Sequence, residues 1–169
     1  GLDRPGVPER KAGIVYSRPA ERRIVERRVR AAKPVWQLAY AGSVGSQALL
    51  GIAGLARLRR DPRLAGIAVW PFETGLAAPV APIVLAEIYP SLLAPPRAIP
   101  RGDGEVVDAA QVRAMAGRLA ALDAAGALAP FFAAAPRLDA CCRATVAREE
   151  AWILGAGREA AGGGPPRAP

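Results

Sequence analysis

Apolar and polar positions divide the chain into a charged lead-in, a patterned middle and a tail of small residues. Residues 1–19 carry Pro5, Pro8, Pro19 and many charges, which predicts an irregular lead-in. Ala20 to Ala32 turns helix-favouring. Arg22, Arg23, Arg27, Arg28 and Arg30 crowd it, with Ile24 and Val29 as its few apolar anchors. That pattern predicts a solvated helix with one thin buried stripe, stopped at Pro34. Val35 to Tyr40 alternates roughly between apolar and polar positions and predicts a short strand. After the small-residue turn at 41–47, a helix is expected from about Ser46 to Arg60, with Leu49, Leu50, Ile52, Leu55 and Leu58 as its buried face and Asp61-Pro62 closing it.

Ile67 to Phe72 and Ile83 to Tyr89 are short, apolar and bounded by Pro and Gly, and are the best strand candidates. Pro90 to Leu93 turns out of the second, and residues 94–104 read as a loop. The helical period is clear from Val107 to Ala125, where Val112, Met115, Leu119 and Leu122 recur at three- and four-residue intervals. Asp108 stands where an N-cap or first-turn acid belongs, which favours the helix dipole, and Gly126 ends the segment. A final helix is expected from Leu138 to Leu154, and residues 156–169 read as a disordered Gly/Pro/Ala tail. Together these elements predict an α/β fold, a small sheet flanked by helices, in one domain over residues 20–155.

Composition narrows the chemistry. Of 169 residues, 51% are hydrophobic but only 5% aromatic, so a core built mainly from Ala, Leu, Val and Ile and of modest stability is expected. The net charge is +8, with 23 Lys and Arg against 15 Asp and Glu. Such a balance suits nucleic acid or another polyanion as partner. A GC-rich coding bias, which adds arginine without a selected role, is the simpler account. The chain has no histidine, which excludes a Ser-His-Asp triad, a Cys-His pair and a histidine-bearing zinc site within it. Cys141 and Cys142 are adjacent, too few and too close for a disulfide framework, and point to a reducing, cytoplasmic setting. The apolar stretch from Gly75 to Ala86 is broken by Pro79 and Pro82 and falls short of the roughly 20 residues a membrane helix needs. No membrane partner is expected.

Two constellations could carry chemistry. The turn containing Ser43, Gly45 and Ser46 precedes a helix and resembles a phosphate or cofactor cradle, in which free backbone amides meet an anion. It lacks the Gly-Lys-Ser/Thr of a P-loop. The simpler reading is a tight strand-to-helix turn capped by a serine. The second constellation is acidic. Glu73 follows Val69-Trp70-Pro71-Phe72, and Glu87 lies inside Leu85-Ala86-Glu87-Ile88-Tyr89. An acid within an apolar strand is costly unless it is paired or binds a cation. Mg²⁺ takes carboxylate oxygens and water and needs no histidine. Glu87 and Asp108, with Glu73, are therefore the candidate metal ligands, with Glu87 and Asp108 as the catalytic pair. The competing reading pairs Glu87 with an arginine. Trp152, beside Glu149 and Glu150, is expected to pack on the body of the domain, and both cysteines read as structural.

The runs Trp36-Gln37-Leu38, Gly42 to Gln47, Trp70 to Gly75 and Glu87-Ile88-Tyr89-Pro90-Ser91-Leu92 resemble a group of uncharacterised bacterial proteins similar to the predicted RNase H-like nuclease family. The resemblance covers roughly Arg22 to Gly155. It implies an RNase H-like sheet and metal binding by a Glu of a Glu-Ile-Tyr-Pro strand, by an Asp near a later helix and by an Asp of an N-terminal strand. Glu87 matches the first and Asp108 loosely the second. The third has no counterpart, since Asp3 lies between Leu2 and Arg4-Pro5. The resemblance thus implies the C-terminal portion of a larger domain, missing one ligand and exposing a sheet edge that invites self-association. It also implies a cofactor-biosynthesis association, for which no motif stands in the chain. The leading functional expectation is a Mg²⁺-dependent phosphodiesterase-type nuclease, inactive as this chain. The rival is a non-catalytic binding or scaffolding protein whose acids are paired with arginines.

Overall fold

The structure, a computed structural model, describes residues 20–29, 31–38, 43–93, 99–133 and 137–158. The expected lead-in at 1–19, most of the tail, and parts of the expected strand at 35–40 and of the loop at 94–104 lie outside these residues. The described elements are α1 (Ile24–Arg28), α2 (Gly45–Arg60), β1 (Ile67–Val69), β2 (Ile83–Leu85), α3 (Pro90–Leu93), α4 (Val107–Ala124) and α5 (Ala140–Thr145). A π turn, Val146–Glu150, extends α5, and 3₁₀ turns occupy Pro62–Leu64 and Ala129–Phe132. This is a small α/β fold, as the periodicities predict.

β1 and β2 run parallel, with Ile67 opposite Ile83 and Val69 opposite Leu85. Parallel neighbours need a crossover of a dozen or more residues. Here residues 70–82 supply it without a helix, and Trp70 N continues the ladder by donating to Leu85 O at 2.9 Å. Past β2, Glu87 forms a parallel bridge with Ile153, and Leu154 N donates to Glu87 O at 2.8 Å. The segment around Ile153 thus lies alongside the extension of β2.

The core gathers at that junction. Val25, Val29, Trp70, Phe131, Phe132, Leu138, Val146, Trp152, Ile153 and Leu154 form one buried cluster. The Trp70 and Phe132 rings meet edge to face, with centroids 5.6 Å apart. Most residues of this cluster are aliphatic, as expected, with four aromatics at its center. Aromatics are scarce, but Trp70 and Trp152 are the two largest fully buried side chains and the center is built on them. Each aromatic buries far more surface than an alanine, so a few suffice.

Several expected elements change extent. The first helix is confined to Ile24–Arg28, where Val25 and Glu26 are buried. Val35 and Trp36 form a turn and Gln37 and Leu38 follow without strand pairing: Gln37 N donates to Pro34 O at 3.1 Å, and Gln37 O receives Gly45 N at 3.0 Å. The carbonyl that a sheet would use anchors the start of α2 instead. The final helix is broken at Ala151, whose φ of 62° and ψ of −176° leave the helical region. Trp152, Ile153, Leu154, Gly155 and Ala156 are buried in succession, which a helix with one inward face cannot achieve. Trp152 Nε1 donates to Ala156 O at 2.8 Å, and Arg158 lies over the Phe131 ring at 4.6 Å. Structure therefore continues past the expected tail boundary at 156.

The two long helices match expectation in length but not in burial. In α4, Ala110 and Met115 are buried and Leu119 and Leu122 pack against the core, while Val112 is exposed. Gly126, at φ 65°, ends it. In α2 the expected buried face is exposed: Leu50 is 77% accessible, and Leu49, Ile52, Leu55 and Leu58 are exposed too. Three-residue strands form a sheet too small to reach it. Among the described residues, no helix is long and apolar enough to cross a membrane.

Candidate functional site

Glu87 lies where β2 ends and the 152–154 segment joins it, and its carboxylate is not free. Arg23, the residue before α1, donates from Nη1 to Glu87 Oε2 and from Nη2 to Glu87 Oε1, both at 2.7 Å. This is the two-pronged geometry that a planar guanidinium makes with a carboxylate. The same arginine donates from Nε to Glu26 Oε1 at 2.7 Å and from Nη1 to Glu150 O at 3.0 Å. Its backbone N donates to Glu26 Oε2 at 3.1 Å, and Ile24 N donates to Glu150 Oε2 at 2.6 Å. Residues separated by 64 and 127 positions thus meet on one side chain.

The environment is half enclosed. The Arg23 side chain is 12% accessible, Glu26 0% and Glu87 37%. Burial acts to strip Arg23 of its charge and is the largest single influence. The hydrogen bonds and charges of Glu87 and Glu26 outweigh it and lift the guanidinium above its usual range. The cluster joins the start of α1, the edge of β2 and the end of the π turn, and so fastens three parts of the core together.

Glu73 is engaged in the same manner at the surface. Arg59 Nη2 donates to its Oε1, and Val69 N donates to its Oε2 at 2.8 Å. Glu73 N in turn donates to Val69 O at 2.9 Å, so side chain and backbone lock the turn that follows β1. The Val69 amide, chiefly, holds the Glu73 carboxyl below the usual range, with Arg59 adding to it against the opposing effect of desolvation. Asp108 sits exposed in the first turn of α4. Among the described residues, no three His, Cys, Asp or Glu side chains gather as a metal set. The arrangement of Glu73, Glu87 and Asp108 therefore does not fit Mg²⁺ as it stands, because Glu87 and Glu73 spend their oxygens on arginines and a backbone amide.

The turn before α2 is likewise spoken for. Its N-cap is Val44, which has no capping side chain, and Ser46 is exposed within the first helical turn rather than acting as cap. The Gly45 amide is bound to Gln37 O. A Cβ on Gly45 would stand 2.2 Å from Val35 O, so close approach of two backbone segments requires this glycine. Ser43 is half-buried just before Val44. Cys142 bonds Asp139, which, with burial, pushes its thiol up and away from reactivity. Several arginines that contribute to the positive charge are paired: Arg59 with Glu73, Arg63 with Asp61 and Arg113 with Glu105.

Sequence reasoning missed a groove of about 510 Å³ beside the cluster, lined by Val84, Ala86 and Ile88 and by Leu119, Asp123 and Phe132. The alternation of positions 84, 86 and 88 along one face of β2 and its extension was the available signal. Comparison with protein-family models, curated proteins and solved structures finds no match.

Proposed function

We propose that this chain is a non-catalytic binding or scaffolding protein in which the strand acid Glu87 is structural. The observation that carries this reading is the pair of 2.7 Å hydrogen bonds from Arg23 to the two oxygens of Glu87. A catalytic carboxylate must offer an oxygen to a metal, a water or a substrate. Glu87 offers both to a guanidinium that also secures a fully buried glutamate. The test is incubation of the chain with single- and double-stranded DNA and RNA in millimolar Mg²⁺ or Mn²⁺. Cleavage no faster than that of a Glu87→Gln control is expected. Cleavage that Glu87→Gln abolishes would refute the reading.

The Mg²⁺-dependent RNase H-like nuclease, with Glu87 and Asp108 as its acids, is retained as a second reading on one observation. Glu87 is 37% accessible at the edge of a parallel strand, so displacement of Arg23 would open its carboxylate to solvent. Cleavage by an Arg23→Gln variant, absent from the parent chain, would favour it.

A further inference from the structure

Among the described residues, nothing covers the apolar side chains of α2. Leu49, Leu50, Ile52, Leu55 and Leu58 are exposed, and a side chain at Gly51 or Gly54 would meet open space. A largely apolar helix of 16 residues gains most of its stability from packing against another surface, so exposure of this extent calls for a cover. Among the described residues, a groove offers a surface of matching character. The groove between β2 and α4 is lined mostly by apolar side chains, and among the described residues Asp123 is its only charged lining residue. The charged residues of α2 are all basic, Arg57, Arg59 and Arg60 in its last turn. Helix and groove therefore match in polarity and oppose in charge.

The helix is fastened at both ends, by the Gly45 amide on Gln37 O and by Arg59 on Glu73, and does not line its own groove. Reaching that groove within one chain would break both attachments. We propose that the side of α2 bearing Leu49, Leu50, Arg57 and Arg60 in one copy docks into the β2–α4 groove of a second copy, placing Arg57 or Arg60 near Asp123. A cavity of about 510 Å³ receives a few side chains rather than a whole helix, so Leu50 and its neighbours are the inserted group. The interface is heterologous, with different surfaces on its two sides, and can repeat from copy to copy. The proposal rests on the binding or scaffolding reading and names the partner.

Sedimentation velocity on the full chain tests it, at moderate ionic strength so that the +8 net charge is screened. The parent should form concentration-dependent species larger than a monomer. Leu50→Asp disables the helix and Leu119→Asp disables the groove, and each alone should weaken association at least tenfold. Mixed, the two variants should form a one-to-one complex, because one retains a groove and the other a helix. Asp123→Lys, a change at an exposed site, should weaken association without altering far-ultraviolet circular dichroism, and guards against misfolding of the other variants. A parent that stays monomeric, or a Leu119→Asp variant that self-associates as well as the parent, overturns the proposal. The first outcome would favour closure within one chain and the second symmetric helix pairing. Neither bears on the Arg23–Glu87 reading, which the cleavage assay tests separately.

Discussion

Replacing Arg23 by glutamine probes the cluster at its center. The substitution removes the fork onto Glu87, the bond from Nε to Glu26 and the bond to Glu150 O. Glu26 is wholly buried, so its carboxylate loses its cationic partner with no access to water. Breaking a buried pair by removing one member costs about 3–5 kcal/mol. Against a typical domain stability of about 5–15 kcal/mol, that is a large share. Glu87→Gln should cost less, on the order of 1 kcal/mol, because Glu87 is partly exposed and glutamine still accepts a hydrogen bond. Urea unfolding followed by fluorescence reads this directly, since Trp70 and Trp152 are buried in the neighbouring core. Replacing Arg23, Glu26 and Glu87 together by apolar residues of similar size should recover much of the loss, because the wholly buried Glu26 charge is removed along with its partner. Arg23→Gln within about 1 kcal/mol of the parent would refute the reasoning, since a buried glutamate without its partner cannot be that cheap.

Other consequences are independent. Trp152→Phe removes the donor to Ala156 O, whereas Trp70 Nε1 is buried without a partner, so Trp152→Phe should destabilise by about 1–2 kcal/mol more than Trp70→Phe in the same urea assay. Ala151 holds a backbone conformation favoured by glycine, and Ala151→Gly should raise stability by about 1 kcal/mol, read as a higher melting temperature. The Cys142 amide, the first cause, holds the Asp139 carboxyl below its usual range while it caps α5. A depressed carboxyl contributes stability above its unfolded value, near pH 4, and loses it as pH falls through the lower folded value. Asp139→Ala should therefore lower the melting temperature at pH 7 and shrink the difference from the parent as pH drops below about 4.

The periodic parts of the fold were legible and the joints were not. The spacing of Met115, Leu119 and Leu122 located α4, and the apolar runs at Ile67 and Ile83 located both strands, because local pattern determines those elements. The break at Ala151 was not, since alanine is an excellent helix former and only burial of Trp152 to Ala156 beside Glu87 overrides it. The pattern at Val35 to Tyr40 reads as a strand, but Val35 and Gln37 turn to meet Gly45. An acid in the apolar strand at Glu87 signalled a partner. That the partner is Arg23, 64 residues away and shared with Glu26, depends on tertiary structure that no local spacing encodes.

The central claim is that Glu87 is a structural acid held by Arg23 rather than a metal ligand. Thermal unfolding of the parent chain and of Glu87→Gln, in millimolar Mg²⁺ and in Na⁺ of equal ionic strength, tests it most directly. A ligand bound to the folded state alone raises stability by RT ln(1 + [L]/Kd). The account predicts the same melting temperature in both salts for each protein. A Mg²⁺-specific rise in the parent that disappears in Glu87→Gln would contradict it.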